Sequence, residues 1–250
     1  MSRQVVIAYF SPTGNTEKSV KAMADALGGS TKTIDLSLLG EPAAEQFTNE
    51  DMVIFGIPVY AGRIPIAAKE RFAGLKGNQT PCIIVATYGN RHFDDALLEL
   101  ADMVHEQGFV VKGAAALVGR HTYGSIQVDR PDAEDLAADK QFAIAVDAKA
   151  SDAPAVEIPG NRPYREGGKG GHYRPLTSDA CVQCGLCARL CPMQAIGEDN
   201  KTIGDSCIAC FRCVRRCPVG AKNMDTEEYH EFATMFTEKM KNRRENLYLL

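Results

Sequence analysis

Tryptophan is absent from the 250 residues, and no apolar run approaches the roughly 18–20 residues that a membrane span needs. Excess positive charge is also lacking. Lys+Arg 28 against Asp+Glu 32 leaves a formal charge of −4, which excludes the basic field of a nucleic-acid binder. Neither G-x-G-x-x-G nor G-x4-G-K-[ST] occurs, so no dedicated NAD(P)H turn and no triphosphate loop is expected. Met1-Ser2-Arg3-Gln4 runs straight into Val5-Val6-Ile7-Ala8-Tyr9, without the h-region or cleavage site of a signal peptide. These absences predict a cytoplasmic chain with no membrane and no nucleic-acid partner. Apolar residues at 45% and charged residues at 24% then exclude a disordered, collagen-like or coiled-coil chain.

What is present falls into parts. Residues 1–150 alternate strand and helix signals. Apolar runs at 4–9, 32–36, 52–57, 81–87 and 109–118 are separated by helical stripes. Val20, Met23, Ala24 and Leu27 form one stripe; Phe93, Leu97, Leu100, Ala101 and Val104 form another; Ala133, Leu136, Ala137 and Ile144 a third. A shorter helix is expected to begin at Pro65, which suits a first turn. The runs 52–57 and 81–87 are almost continuously apolar, as parallel strands covered on both faces are. The expected fold is α/β, a doubly wound five-stranded parallel sheet.

Residues 151–178 are rich in Gly and Pro, including Glu166-Gly167-Gly168-Lys169-Gly170-Gly171, and read as a linker or an ordered arm. Residues 179–223 hold eight of the nine cysteines. A C-terminal helix is expected within 224–250, N-capped by Asp225, with Tyr229, Phe232, Phe236 and Met240 as its stripe.

The cysteine spacing is Cys181-x2-Cys184-x2-Cys187-x3-Cys191-Pro192, repeated as Cys207-x2-Cys210-x2-Cys213-x3-Cys217-Pro218. Three cysteines at x2 spacing wrap three corners of a cubane, and the fourth corner needs a ligand from elsewhere. In a reducing compartment clustered thiols bind metal more readily than they pair as disulfides. Structural zinc uses paired C-x2-C units with a longer spacer, not this repeated run. The segment resembles two-cluster bacterial ferredoxins, in which the fourth cysteine ligates the other cluster. That resemblance implies one [4Fe–4S] cluster on Cys181, Cys184, Cys187 and Cys217, and a second on Cys207, Cys210, Cys213 and Cys191. Cys82, inside an apolar strand, reads as an inert buried thiol.

After the first strand comes Ser11-Pro12-Thr13-Gly14-Asn15-Thr16, then a helix. Small neutral donors at a strand-to-helix turn suit a monophosphate, aided by the helix dipole. Later strands end in Ile57-Pro58-Val59-Tyr60-Ala61-Gly62-Arg63 and in Thr87-Tyr88-Gly89-Asn90-Arg91. All three loops belong at the carboxyl ends of the strands, where doubly wound sheets bind ligands. Residues 1–150 resemble a flavodoxin. The resemblance implies that Ser11, Thr13, Gly14, Asn15 and Thr16 hold an FMN phosphate. It also implies that Pro58, Val59, Tyr60, Ala61, Gly62, Thr87, Tyr88, Gly89 and Asn90 line the isoalloxazine ring.

The whole chain resembles flavodoxin–ferredoxin fusion proteins of anaerobic bacteria and archaea, also through Gly119-Arg120-His121-Thr122-Tyr123-Gly124-Ser125, Arg130-Pro131-Asp132 and Pro159-Gly160-Asn161-Arg162-Pro163-Tyr164. FMN and two [4Fe–4S] clusters are the cofactors implied. The expected function is a relay of low-potential electrons between clusters and FMN, to or from a partner oxidoreductase docking near the clusters. The alternative is an FMN-dependent reductase of a quinone, enoyl or nitro compound, with His121, Tyr123, Arg63 and Arg91 as candidate catalytic groups. The arm admits transfer within one chain or across a homodimer.

Overall fold

Alternation along the first strand sets the layers. In the computed structural model, which describes residues 3–29, 32–38, 40, 44–150 and 153–250, β1 (Val5–Tyr9) sends successive side chains into opposite cores. Val6 and Ala8 join Val53, Phe55, Ile57, Ile84 and Leu97 on one face. Val5, Ile7 and Tyr9 join Val20, Met23, Ile54, Ile83 and Phe142 on the other.

The chain continues through α1 (Asn15–Ala26), β2 (Lys32–Asp35), β3 (Glu45–Phe47), β4 (Met52–Pro58), α2 (Ile66–Phe72), β5 (Leu75–Gly77), β6 (Thr80–Tyr88), α3 (Ala96–Glu106), β7 (Phe109–Val118) and α4 (Ala133–Asp147). It ends with β8 (Leu176–Thr177), α5 (Leu186–Arg189), α6 (Arg212–Arg216), β9 (Lys222–Asn223), α7 (Glu227–Lys239) and β10 (Leu247–Leu249). The main sheet runs β10-β7-β6-β4-β1-β2. Its five expected strands are parallel, and order reverses between β1 and β4, the switch point of a doubly wound sheet.

The stripe expected on α4 at Ala133, Leu136, Ala137 and Ile144 is not its buried face, which carries Asp135, Asp139, Phe142, Ala143 and Val146, and three further features depart from the sequence reading. A sixth strand, β10, adds antiparallel to β7, pairing Leu247 with Ala116 and Leu249 with Ala114. The stretch after α7 is therefore not helix. Tyr248 anchors it by donating to Asp139 at 2.7 Å. Second, the cap of α7 is Thr226, whose Oγ1 accepts from Tyr229 N at 3.2 Å, not Asp225. Third, Pro65 is the N-cap of α2 and not its first helical residue.

The stretch that follows α4 is an ordered arm; its first two residues by the sequence reading, 151 and 152, lie outside the described residues. It lies across α3. Asp95 accepts from Asn161 N and Arg165 N, both at 2.8 Å, and Asp102 accepts from Arg162 and Tyr164. The arm then returns to the sheet, where Gly168 N donates to Tyr60 O at 2.9 Å. Among the described residues no helix is long and apolar enough to cross a membrane.

Candidate functional site

A cavity of about 310 Å³ opens at the carboxyl ends of β1, β4 and β6, within the usual range of small-molecule sites. Three expected loops line it: Ser11, Thr13, Asn15 and Thr16; Pro58, Val59, Tyr60 and Ala61; Thr87, Tyr88 and Gly89. The first loop turns tightly because Gly14 takes φ +90° at the N-cap of α1, a conformation that suits glycine. A Cβ there would meet nothing within 4 Å, so the left-handed backbone and not crowding requires glycine. Ser11 Oγ accepts from Glu17 N at 3.1 Å and holds the turn against the helix. Thr16 and Thr87 pair their hydroxyls at 2.5 Å, tying the first loop to the third. Asn15 Nδ2 donates to Arg120 O at 2.9 Å and positions a fourth loop, after β7.

Four of the residues expected at the cavity do not line it. Gly14 turns the loop from behind. Gly62 O accepts from Asp95 N at 3.0 Å on the far side of the Tyr60–Arg63 turn. Asn90, 1% exposed, donates to Met240 O and Asn242 O at 2.8 and 2.7 Å and accepts from Arg244 N at 3.1 Å. It secures the segment between α7 and β10. Arg63 is a correction to the catalytic candidates. Its guanidinium clamps Glu99 with two 2.7 Å bonds, donates to Arg165 O and lies 4.5 Å over the Tyr164 ring. It pins the arm, and its charge is spent there.

Arg91, His121 and Tyr123 do line the cavity. Arg91 pairs with Asp94. His121 Nδ1 lies 2.9 Å from Tyr123 N and 3.1 Å from Tyr123 O, so the backbone at Tyr123 fixes the ring. Burial, with Arg215 and Arg91 nearby, lowers its pKa to about 4 against a favourable bond at Tyr123, so it is neutral at pH 7. Burial pushes the Tyr123 phenol up, and its ring stands edge-on to Phe211, Tyr229 and Phe232.

Several wall residues were not read as site residues from the sequence. Lys169, Gly170 and Gly171 come from the arm; Ile208 and Ala209 from the cysteine region; Phe232 and Phe236 from α7. Gly170 is required by proximity, since a Cβ there would lie 2.0 Å from Ile208 O. The run Glu166–Gly171 read as linker because only its tertiary position reveals a close backbone approach. The aromatic stripe of α7 seals a joint between the sheet and the cysteine-rich region, where Ala209, Phe211 and Met224 form a small apolar cluster with Tyr123, Tyr173 and Tyr229.

Tyr60 belongs to this joint. Burial raises its pKa, and Cys210, Tyr123 and Cys207 add to the rise while Arg215 opposes it. Arg215 itself reaches across the joint and donates to His121 O at 2.7 Å. Its own pKa is lowered to about 10, chiefly by burial.

The eight clustered cysteines form no disulfides and are distributed around two smaller cavities. Cys181, Cys184, Cys187 and Cys217 line one. Cys191, Cys207, Cys210 and Cys213 line the other. The fourth cysteine of each run thus faces the other run's cavity. Cys210 is pushed up to about 12 and Cys213 to about 11, both mainly by burial. As bare thiols they would stay protonated and unreactive; a bound metal replaces the proton. Among the described residues, two buried cationic atoms have no hydrogen-bond partner, Arg212 Nε beside one cavity and Lys222 Nζ beside the other. Such orphans demand negative charge, and a thiolate-bound iron–sulfur cluster supplies it. The residues therefore fit the clusters. The neutral loop and aromatic walls likewise fit a flavin monophosphate.

Comparison with known proteins gives the same two parts. A flavodoxin domain model matches residues 6–74, and a 4Fe-4S dicluster domain model matches residues 176–218. No curated protein matches the chain. Among solved structures, it is similar to an archaeal flavodoxin at 14% identity, covering 58% of this chain and 95% of that one with a TM-score of 0.38. A Streptococcus pneumoniae flavodoxin is 20% identical, with coverage of 58% and 99% and a TM-score of 0.40. The rubredoxin oxygen:oxidoreductase of Desulfovibrio gigas is 18% identical, with coverage of 59% and 37% and a TM-score of 0.40. The chain carries a flavodoxin domain at its N-terminus and a 4Fe-4S dicluster domain towards its C-terminus, the order of a flavodoxin–ferredoxin fusion, and is an iron–sulfur flavoprotein of electron transfer.

Proposed function

We propose that this chain relays electrons internally, between FMN in the large cavity and a partner protein, through two [4Fe–4S] clusters in a fixed order. FMN exchanges one or two electrons and each cluster one. In this reading residues 1–150 hold the flavin, 151–178 strap the parts together, 179–223 hold the clusters and 224–250 seal the joint.

One observation carries the order. Ile208 and Ala209, which lie between Cys207 and Cys210, are walls of the same cavity as Thr13, Tyr60 and Tyr88. The cluster of Cys191, Cys207, Cys210 and Cys213 is then the inner one, next to the flavin. Cys210 is buried, whereas Cys184 is exposed and Val182 beside it is 63% exposed. The cluster of Cys181, Cys184, Cys187 and Cys217 is therefore the outer one. A redox partner docks over Cys184, Val182 and Val219. The chain's residues supply separation, burial and hydrogen bonds: Thr13 and the turn at Gly14 hold phosphate, Tyr60 and Tyr88 flank the ring, and Arg215 locks the two halves at His121.

The rival reading, a reductase of small oxidised substrates, is less favoured because His121 is held neutral and Arg63 is turned away from the cavity to Glu99.

Anaerobic stopped-flow reduction of the holoprotein tests the relay. Flavin bleaching should follow cluster bleaching at a rate independent of protein concentration. Cys191→Ala, which removes a ligand of the inner cluster, should slow that step about tenfold or more with flavin still bound. A rate proportional to protein concentration, or one untouched by Cys191→Ala, overturns the intrachain path.

A further inference from the structure

The two halves of the cysteine region are copies in backbone and not in charge. An offset of 26 residues, 207 − 181, superposes their sequences. The backbones agree at the unusual positions. Gln183 and Ala209 have φ 53° and 50°, Gly185 and Phe211 have 70° and 57°, and Gln194 and Gly220 have 48° and 66°. Ala195 N donates to Cys191 Sγ at 3.3 Å, and its counterpart Ala221 N donates to Cys217 Sγ at 3.2 Å.

One residue further on, the copies part. Ile196 lines the inner cavity, and its counterpart Lys222 lines the outer one. Lys222 is 3% exposed, and its Nζ has no hydrogen-bond partner among the described residues. The carboxylate of Asp199 is near enough to feel the charge of Lys222 but takes its hydrogen bonds from Lys201 N, Thr202 N and Thr202 Oγ1. The inner cavity has its own cation, Arg212, where the first half has Leu186. Arg212 as a whole is half-buried although its Nε is enclosed, so water screens its delocalised charge more than that of Lys222.

An ammonium buried without a partner is costly unless an opposite charge lies beside it. An apolar side chain fits the same backbone, as Ile196 shows, so packing alone does not call for lysine. An electron added to a cluster adds negative charge beside the ammonium, and low dielectric makes that attraction strong.

We propose that Lys222 sets the reduction potential of the outer cluster, raising it above the value its apolar-lined form would have. The proposal rests on the reading of Cys181, Cys184, Cys187 and Cys217 as one cluster's ligands. Lys222 acts through its charge alone and holds no iron.

The test is an anaerobic EPR-monitored redox titration of the holoprotein, with iron and labile sulfide counted first. In Lys222→Ile one cluster midpoint should fall by at least a tenfold change in its reduction equilibrium, about 59 mV for one electron, while the other moves less. Lys222→Arg, which keeps the charge, should restore most of the fall. If Lys222→Ile does not load fully, Lys222→Gln carries the same expectation with a side chain of similar reach. Unchanged midpoints in a fully loaded neutral variant, or equal falls in both clusters, overturn the assignment. A wild-type chain that holds iron and sulfide for a single cluster overturns the two-cluster reading instead, and is seen before any variant is made.

Discussion

The sheet and the cysteine region are held together by different forces. The sheet buries two continuous apolar faces, with Phe10, Phe55, Phe72 and Phe109 fully enclosed. The cysteine region buries little beyond Ala209, Phe211 and Met224 at the joint, and its strands are two residues each. A segment this small and this poor in buried surface cannot offset its conformational entropy by burial. The first region folds by exclusion of water, and the second folds around what its cysteines hold.

Removal of iron breaks that comparison most sharply. Chelation should abolish hydrogen-exchange protection across 180–220 while β1, β4 and β6 keep theirs. Protection in the cysteine region that survives loss of iron would show a core of its own. A smaller effect should come from the sheet. Phe55→Ala removes a side chain that stacks edge-on to Phe109 at 4.8 Å and should cost about 3–5 kcal/mol in denaturant unfolding of the sheet, with cluster content unchanged. Smallest is a pH effect at the cavity. His121 titrates near 6.5 unfolded and about 4 folded, because burial disfavours its charge. The unfolded chain takes up the proton first. Stability from this group is therefore full above about pH 6.5 and is lost as pH falls towards 4. His121→Gln should flatten that acid limb of the unfolding curve; an unaltered limb would place the titrating group elsewhere.

Much of this was legible in the sequence, for identifiable reasons. The runs 52–57 and 81–87 are apolar without break because both faces are covered, so β4 and β6 could be read directly. The crossed grouping of the cysteines came with the resemblance to two-cluster ferredoxins, since by spacing alone each run of four could close on itself. Other parts depended on tertiary position. Leu247-Tyr248-Leu249 is too short to show a period of two, and only its pairing with β7 makes it a strand. Arg63 sits in a loop that reaches the cavity, yet a turn of two left-handed residues, Ala61 and Gly62, aims it at Glu99. The walls given by Lys169, Ile208 and Phe236 are far from one another in sequence and share no motif.

Asn90 gives the architecture a temporal order. It stands at the end of β6, yet its amide is bonded to Met240, Asn242 and Arg244, some 150 residues later in the chain. The loop bearing Tyr88 and Gly89 therefore reaches its final setting only after residues 240–244 have been made and docked. During synthesis the sheet can form early, but the flavin chamber closes after the iron-binding segment has already emerged. The segment that bears Cys207, Cys210 and Cys213 is thus at hand before the chamber it faces is sealed.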